Sequence, residues 1–148
     1  MSKIYTIGFT KKSAQTFFEL LAVNKIEVLL DVRLKNTSQL AGFSRYPDIE
    51  YFFENIIHGQ YISDILFAPS DEILKNYKKN LIDWNEYVYE YEKLILERNI
   101  KEHILRKYKE MLKKTVCLLC SEEKANHCHR SLVAAKFHEI FGMEVINL

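Results

Sequence analysis

The chain has 148 residues, of which 48% are hydrophobic and 28% charged, and its formal net charge is +1 at neutral pH. This composition is that of an ordinary soluble globular protein, and the length is sufficient for a single domain, residues 1–148, with a substantial core. The balanced charge gives no global attraction to nucleic acid or membranes, and no apolar run approaches the length of a membrane span. Three cysteines without a secretory signal predict reduced thiols, a cytoplasmic protein and no membrane partner.

The first part of the chain alternates short apolar runs with helical patterns. Residues 4–7 predict a first strand, and Ser13 predicts the N-cap of a helix over residues 14–23. Residues 27–32 form a nearly continuous apolar run, which is typical of a strand buried on both faces of a parallel sheet. Residues 33–46 have no clear period, and so long a loop in a compact domain is usually functional or poorly ordered.

The rest of the chain predicts a largely helical segment followed by two further strands. The predicted helices are 47–57, a stretch from residue 70, 83–114 with a break near Arg98 and Asn99, and 128–141, and the predicted strands are 61–62, 115–119 and 143–148. Strands separated by helices indicate βαβ units. We therefore predict an α/β fold: a mostly parallel sheet flanked by helices, with an α-helical insertion in the middle of the chain.

Three polar clusters follow predicted strands. In such sheets, ligands bind outside the carboxyl ends of the strands, so these clusters should meet at one edge. The candidate residues are Thr6, Gly8 and Thr10 after the first strand, Asp31, Arg33 and Ser38 at and after the second, and Cys120, Glu122, Cys128, His129 and Arg130 after the fourth.

Two arginines predict an anion site at this edge. Arg130 should lie in the first turn of the last long helix, where unpaired N–H groups and the helix dipole favour negative charge, and Arg33 should lie beside it. Asp31 interrupts an apolar run, and a buried carboxylate is costly unless it is paired. The alternative is that Asp31 forms a purely structural ion pair, with Arg33 on the same face of the strand as one partner.

The cysteines allow two interpretations. The pair Cys117 and Cys120 with Cys128 and His129 has the residue types of a Cys₃His zinc site, but residues three apart on a strand point to opposite faces. We therefore expect Cys117 in the core, and neither a metal site nor a cofactor. Cys128 at a helix start near Arg130 should have a lowered thiol pKa, and His127 or His129 could serve as a base for Cys120 or Cys128. Alternatively, the cysteines are small packing residues.

The chain resembles the domain of unknown function 488 family. The resemblance extends from near residue 4 to near residue 146 and rests on four motifs: Thr6-Ile7-Gly8, Asp31-Val32-Arg33, Trp84-x-x-Tyr87-x-x-x-Tyr91, and Leu118-Leu119-Cys120-x-Glu122 with Cys128-His129-Arg130. The family often has a histidine and a serine where this chain has Phe9 and Thr10, and often a proline shortly after the Asp-Val-Arg motif. The resemblance implies an α/β fold and no established reaction.

Three functions follow from these residues. The first prediction is an enzyme or sensor that binds a phosphate-bearing ligand, a nucleotide or a nucleic acid end. Arg33 and Arg130 would hold the anion, Asp31 or Glu122 would be the acid or base, and Cys120 or Cys128 the nucleophile. The first alternative is a thiol redox protein with a reversible Cys120–Cys128 disulfide. The second is a non-enzymatic module that binds nucleic acid or protein through residues 33–46 and the basic stretch 101–114. Whether the protein is an enzyme and how it assembles stay open.

Overall fold

The computed structural model describes residues 2–37 and 42–148, so the candidate residue Ser38 lies outside the described residues. The described chain forms one five-stranded sheet in which every pairing is parallel. The strands are β1 (Lys3–Gly8), β2 (Val28–Asp31), β3 (Gln60–Ser63), β4 (Val116–Cys120) and β5 (Glu144–Asn147), in the spatial order β3-β2-β4-β1-β5. The predicted α/β class is confirmed.

Within the described residues, six α-helices connect and cover these strands. They are α1 (Ala14–Val23), α2 (Asp48–Phe52), α3 (Asp71–Lys78), α4 (Trp84–Glu97), α5 (Ile100–Lys107) and α6 (His129–Phe141). A π-helical turn, Phe53–Ile57, extends α2, and short 3-10 helices cover Gly42–Ser44, Ile65–Phe67 and Met111–Lys113. The helices α3, α4 and α5 form the predicted insertion between β3 and β4. None of the helices among the described residues is both long enough and apolar enough to cross a membrane.

Local signals explain where helices begin and break. Ser13 caps α1 by accepting a hydrogen bond from the Thr16 amide at 3.1 Å, as predicted. Asp83 and Glu86 form a capping box that starts α4. Asn99 adopts a left-handed conformation with φ of 55°, which separates α4 from α5 at the predicted break.

The two faces of the sheet carry two different cores. One core packs α1, α2 and the π-helical turn against Ile7, Leu29, Cys117 and Leu119. The other packs α4, α5 and α6 against Ile4, Val28, Leu30, Val116, Leu118 and Cys120. Since successive residues of a strand point to opposite faces, β4 directs Cys117 toward α1 and Cys120 toward α6. The prediction that Cys117 is a core residue is confirmed, because its side chain is fully buried.

The strand order creates a switch point at the carboxyl edge. From β2 the chain continues to β3 at one side of the sheet, whereas from the adjacent β4 it continues to β5 at the other side. Such a reversal leaves a crevice outside the ends of the two neighbouring strands. The residues that follow β2 and β4 therefore line the position where a ligand would bind.

Candidate functional site

The predicted edge residues form two clusters rather than one. Asp31 and Arg33 contact residues of the α1 core, whereas Cys120, Cys128 and Arg130 lie on the α6 side. The ends of β2 and β4 are adjacent, but the pleat sends their side chains to opposite faces. The two arginines therefore do not share the single cradle that the sequence predicts.

The first cluster is a closed ion pair. Both oxygens of the fully buried Asp31 bind the guanidinium of Arg33, with Nε–Oδ1 at 2.9 Å and Nη2–Oδ2 at 2.8 Å. The hydroxyl of Tyr61 donates to Oδ2 at 2.5 Å, and Arg33 also donates to the Ser44 carbonyl at 2.7 Å. The ring of Phe9, which stands where the family often has histidine, lies 5.3 Å from the guanidinium carbon. This network agrees with the alternative prediction that Asp31 forms a structural ion pair, because Arg33 connects Asp31 at the end of β2 to the backbone of Ser44.

The electrostatics of the first cluster agree with a structural role. Burial, and then the neighbouring Asp31 carboxylate, raise the pKa of the Tyr61 hydroxyl. Burial tends to lower the pKa of Arg33, but the hydrogen bond and charge of Asp31 outweigh it, so the pKa of Arg33 is raised. Tyr61 therefore stays neutral and Arg33 stays charged, and each holds Asp31 in place.

The second cluster is a buried cysteine–histidine site. Cys120 ends β4, Cys128 is the N-cap of α6, and His129 is the first residue of that helix. The two sulfurs and one imidazole nitrogen lie within 4.8 Å of one another, and Cys120 Sγ is 3.6 Å from His129 Nδ1. All three side chains are buried, and the cysteines are free thiols. These three residues are the donor set that could hold a metal or carry out thiol chemistry.

A backbone carbonyl fixes the imidazole of His129. Nε2 lies 2.6 Å from the carbonyl oxygen of Val32, just after β2. A carbonyl only accepts, so Nε2 carries the proton, and in the neutral ring Nδ1 has a free lone pair. That lone pair faces Cys120. The switch point between β2 and β4 thus orients His129 as an acceptor for a thiol proton.

The two thiols of the cluster differ in acidity. The pKa of Cys120 is lowered, first because the Cys128 thiol donates a hydrogen bond to its sulfur, and further by the Ser121 amide and the charge of Arg130, which together outweigh burial. The prediction of a lowered pKa for Cys128 is wrong, because its hydrogen bond to Cys120, followed by burial, raises the pKa of this thiol. Cys120 is therefore the group that ionises first, and Cys128 remains the thiol that stabilises it.

Arg130 supports this cluster and is completely buried. Its guanidinium donates to the carbonyls of Glu122 at 2.6 Å and Glu123 at 3.4 Å, and to Thr6 Oγ1 at 3.3 Å. Nη1 also lies 3.8 Å from Cys128 Sγ. Throughout residues 2–37 and 42–148, no carboxylate lies within ion-pair distance of Arg130. The negative partner of this buried charge is therefore a thiolate or a ring of carbonyl dipoles.

The remaining candidates shape the loop that joins the two cysteines. Thr10 donates to the Ser121 carbonyl through its hydroxyl at 2.6 Å. Gly8 lies directly against the backbone of Glu122, where a Cβ would overlap the carbonyl oxygen. The carboxylate of Glu122 is exposed, so only the backbone of this predicted acid–base residue enters the site.

Comparison with known proteins identifies the family. The model described as "Domain of unknown function DUF488" matches residues 13–137, which include the whole cysteine–histidine cluster. The chain belongs to this family, as the sequence motifs predict. Neither the curated proteins nor the solved structures contain a significant match to the chain.

Sequence reasoning missed several groups that complete both clusters. Tyr61 lies in the predicted strand 61–62, but its pairing with Leu29, which brings it to the face of the sheet that carries Asp31, is visible only in the structure. The carbonyls of Val32, Ser44 and Glu122 leave no trace in the sequence, since every residue has one.

Proposed function

We propose that the protein is a thiol redox protein in which Cys120 and Cys128 cycle between a dithiol and a disulfide. The observation that supports this function is the grouping of both sulfurs with an oriented imidazole nitrogen, all within 4.8 Å. The phosphate-binding function stays a prediction, and it has less support because Arg33 and Arg130 are both buried and hydrogen-bonded inside the protein.

The first step is the oxidation of Cys120 by a small hydroperoxide. The thiol proton passes to Nδ1 of His129, and the thiolate attacks the terminal peroxide oxygen. An S–O bond forms while the O–O bond breaks, which gives a sulfenic acid on Cys120. The leaving alkoxide takes the proton from His129 and departs as an alcohol, or as water when the oxidant is hydrogen peroxide.

The second step closes the disulfide. The sulfur of Cys128 attacks the sulfur of the sulfenic acid, an S–S bond of about 2.05 Å forms, and the S–O bond breaks. The hydroxide released combines with the thiol proton of Cys128 to give water. Overall, two thiols and one hydroperoxide yield one disulfide, one alcohol and one water. A small-molecule dithiol restores the reduced state by thiol–disulfide exchange, because the burial of both sulfurs excludes a protein dithiol.

Burial of the site favours a small oxidant. Cys120 and Cys128 are 4% and 3% exposed, so a protein disulfide would not reach either sulfur without displacing the loop 121–127. Hydrogen peroxide has only two heavy atoms and is the smallest of the hydroperoxides. Cys117 is fully buried on the other face of the sheet, and burial raises its pKa, so it should not react.

Thiol counting after oxidation tests this function. With one equivalent of hydrogen peroxide and a metal chelator present, the reduced wild type should lose two titratable thiols and keep one. Cys128→Ser should stop at a sulfenic acid that a dimedone probe traps, and Cys120→Ser should form neither product. Cys117→Ala is the matched control and should oxidise like the wild type. Three thiols remaining in the oxidised wild type would overturn the proposal.

The pH dependence of the oxidation rate gives a second readout. The rate should rise with the fraction of Cys120 thiolate, and because the pKa of this thiol is lowered, its midpoint should lie below the value of about 8.5 of a free cysteine. Arg130→Gln should move the midpoint upward, since removal of the positive charge disfavours the thiolate. A midpoint at or above that of free cysteine would contradict the assignment of Cys120 as the reacting thiol.

A further inference from the structure

We propose that Cys120, Cys128 and His129 of the reduced protein bind one zinc ion through two thiolate sulfurs and one imidazole nitrogen. This inference does not rest on the redox cycle, since metal binding and oxidation are separate properties of the same residues. Soft thiolates together with imidazole are the donors that zinc prefers.

The distances in the cluster suit a tetrahedral metal. With Zn–S of about 2.3 Å and Zn–N of about 2.0–2.1 Å, a sulfur and a nitrogen on one tetrahedral ion lie about 3.6 Å apart, and two sulfurs about 3.8 Å. Cys120 Sγ and His129 Nδ1 are 3.6 Å apart in the protein. All three donor atoms lie within 4.8 Å of one another. For an ion to bind, the distances from Cys128 Sγ to the other two donor atoms must therefore shorten by at most about 1 Å.

The surroundings of His129 are those of a metal ligand. A metal-binding histidine usually donates its second ring N–H to a carboxylate or carbonyl, which fixes the ring and raises the basicity of the ligating nitrogen. Here Nε2 donates to the Val32 carbonyl at 2.6 Å, and the lone pair of Nδ1 faces the sulfur of Cys120.

Charge balance also favours a divalent ion. A zinc ion that replaces the two thiol protons leaves the net charge of the cluster unchanged, so no uncompensated charge is added to a buried site. The guanidinium of Arg130, 3.8 Å from Cys128 Sγ, donates toward a sulfur that stays electron-rich when bound to metal. The two thiols bind as thiolates and release two protons, so the affinity should rise with pH.

The position of Cys117 agrees with the argument from residue spacing against a zinc site with Cys117 as a ligand. The spacing Cys117-x-x-Cys120 would require both sulfurs on one side of β4, and the structure places them in opposite cores. Without Cys117, three protein ligands remain. This is the ligand count of zinc sites that keep a fourth position for water.

Cobalt binding to the reduced full-length chain tests the proposal. In the presence of a reductant that keeps the cysteines reduced and does not bind metals, each chain should bind one Co²⁺ ion. The bound ion should show a thiolate-to-cobalt charge-transfer band and tetrahedral d–d bands, and added Zn²⁺ should abolish both. Cys120→Ser, Cys128→Ser and His129→Gln should lose or weaken the charge-transfer band, with circular dichroism as the check on folding. Cys117→Ala is the matched control and should keep the wild-type spectrum.

Several outcomes would overturn the metal site. These are the absence of a charge-transfer band in the wild type, an unchanged band in Cys120→Ser, or a lost band in Cys117→Ala. If a serine variant does not fold, the wild type alone decides: one equivalent of Zn²⁺ should protect two of the three thiols from alkylation, and no protection refutes the site. A chain that binds Co²⁺ but forms no disulfide with peroxide overturns the redox function alone, and the reverse result overturns the metal site alone.

Discussion

Gly8 is the residue at which β1 approaches the loop after β4. A Cβ at this position would overlap the carbonyl oxygen of Glu122, a backbone atom that cannot rotate away, and would also come close to the guanidinium of Arg130. The same carbonyl oxygen accepts the shortest hydrogen bond that Arg130 donates, at 2.6 Å. A single hydrogen atom in place of a side chain therefore permits the contact between the loop and the buried arginine.

Gly8→Ala should lower the free energy of unfolding by about 3 kcal/mol, at the upper end of the usual cost of overpacking, because the Glu122 backbone must move. Chemical denaturation measures this change. The matched control is Gly42→Ala: no atom of the residues that the structure describes lies within 4 Å of the added Cβ, so this variant should be neutral or more stable by up to about 1 kcal/mol. Equal stability of the two variants would show that the contact at Gly8 is not tight.

Arg130 is the largest fully buried side chain of the described residues. Arg130→Ala should lower the free energy of unfolding by about 3 kcal/mol or more, since it leaves a cavity and removes the donors of two loop carbonyls. Arg106→Ala is the control, because that side chain is 72% exposed and its pair with Glu102 is long, at 3.9 Å. The control should change stability by less than about 0.5 kcal/mol in the same denaturation experiment. A small effect of Arg130→Ala would mean that the loop carbonyls find other donors.

At the scale of elements, a third buried polar cluster, centred on Asp64, fastens α5 to the end of β3. Asp64, directly after β3, accepts from His103 Nε2 at 2.7 Å and from the Tyr108 hydroxyl at 2.5 Å. Its other oxygen accepts from the Leu66 amide at 3.1 Å. One carboxylate thus joins the end of β3, the 3-10 helix Ile65–Phe67, and the middle and C-terminal end of α5.

Asp64→Ala should lower the free energy of unfolding by about 3 kcal/mol, because it leaves the Tyr108 hydroxyl and the His103 ring N–H buried without their acceptor. Glu110→Ala provides the comparison. That residue pairs with Lys113 through side chains more than 70% exposed, so its loss should cost less than about 0.5 kcal/mol. Thermal or denaturant unfolding measures both, and equal effects would refute the anchoring role of Asp64.

At the scale of the whole molecule, buried phenols make stability depend on alkaline pH. Burial raises the pKa of Tyr61, Tyr87, Tyr91 and Tyr108, with Asp31 and Asp64 adding to the effect at the first and the last. The folded chain keeps these protons at a pH where the unfolded chain loses them. Their contribution to stability is therefore complete below the ordinary tyrosine pKa of about 10 and is lost as the pH rises above it.

Above about pH 10, the free energy of unfolding should fall by roughly 1 kcal/mol per pH unit for each of these tyrosines. Urea denaturation at several alkaline pH values measures the slope. Tyr91→Phe should reduce the slope by the contribution of one tyrosine, roughly 1 kcal/mol per pH unit. Tyr89→Phe, at a side chain that is 67% exposed, should leave it unchanged. A slope that Tyr91→Phe does not alter would show that Tyr91 ionises in the folded state.

Much of the fold could be predicted from the sequence because its signals are local. The N-cap Ser13, the apolar run of β2 and the break at Asn99 each act within a few residues, and the structure confirms the element at each position. Alternation along β4 also predicted correctly that Cys117 lies in the core. The alternation of side chains along a strand does not predict the order of the strands in the sheet, because strand pairing joins segments that are far apart in the chain.

The sequence by itself determined the elements, the α/β class, the family, and the placement of the cysteine–histidine motif where β4 ends and α6 begins. Only the tertiary structure decided which side chains meet. The strand order placed the Val32 carbonyl against His129, and the pleat separated the Asp31–Arg33 pair from Cys120 and Arg130. The physical reason is that a strand or helix start is specified by neighbouring residues, whereas contacts between side chains depend on register and facing, which only the assembled sheet defines.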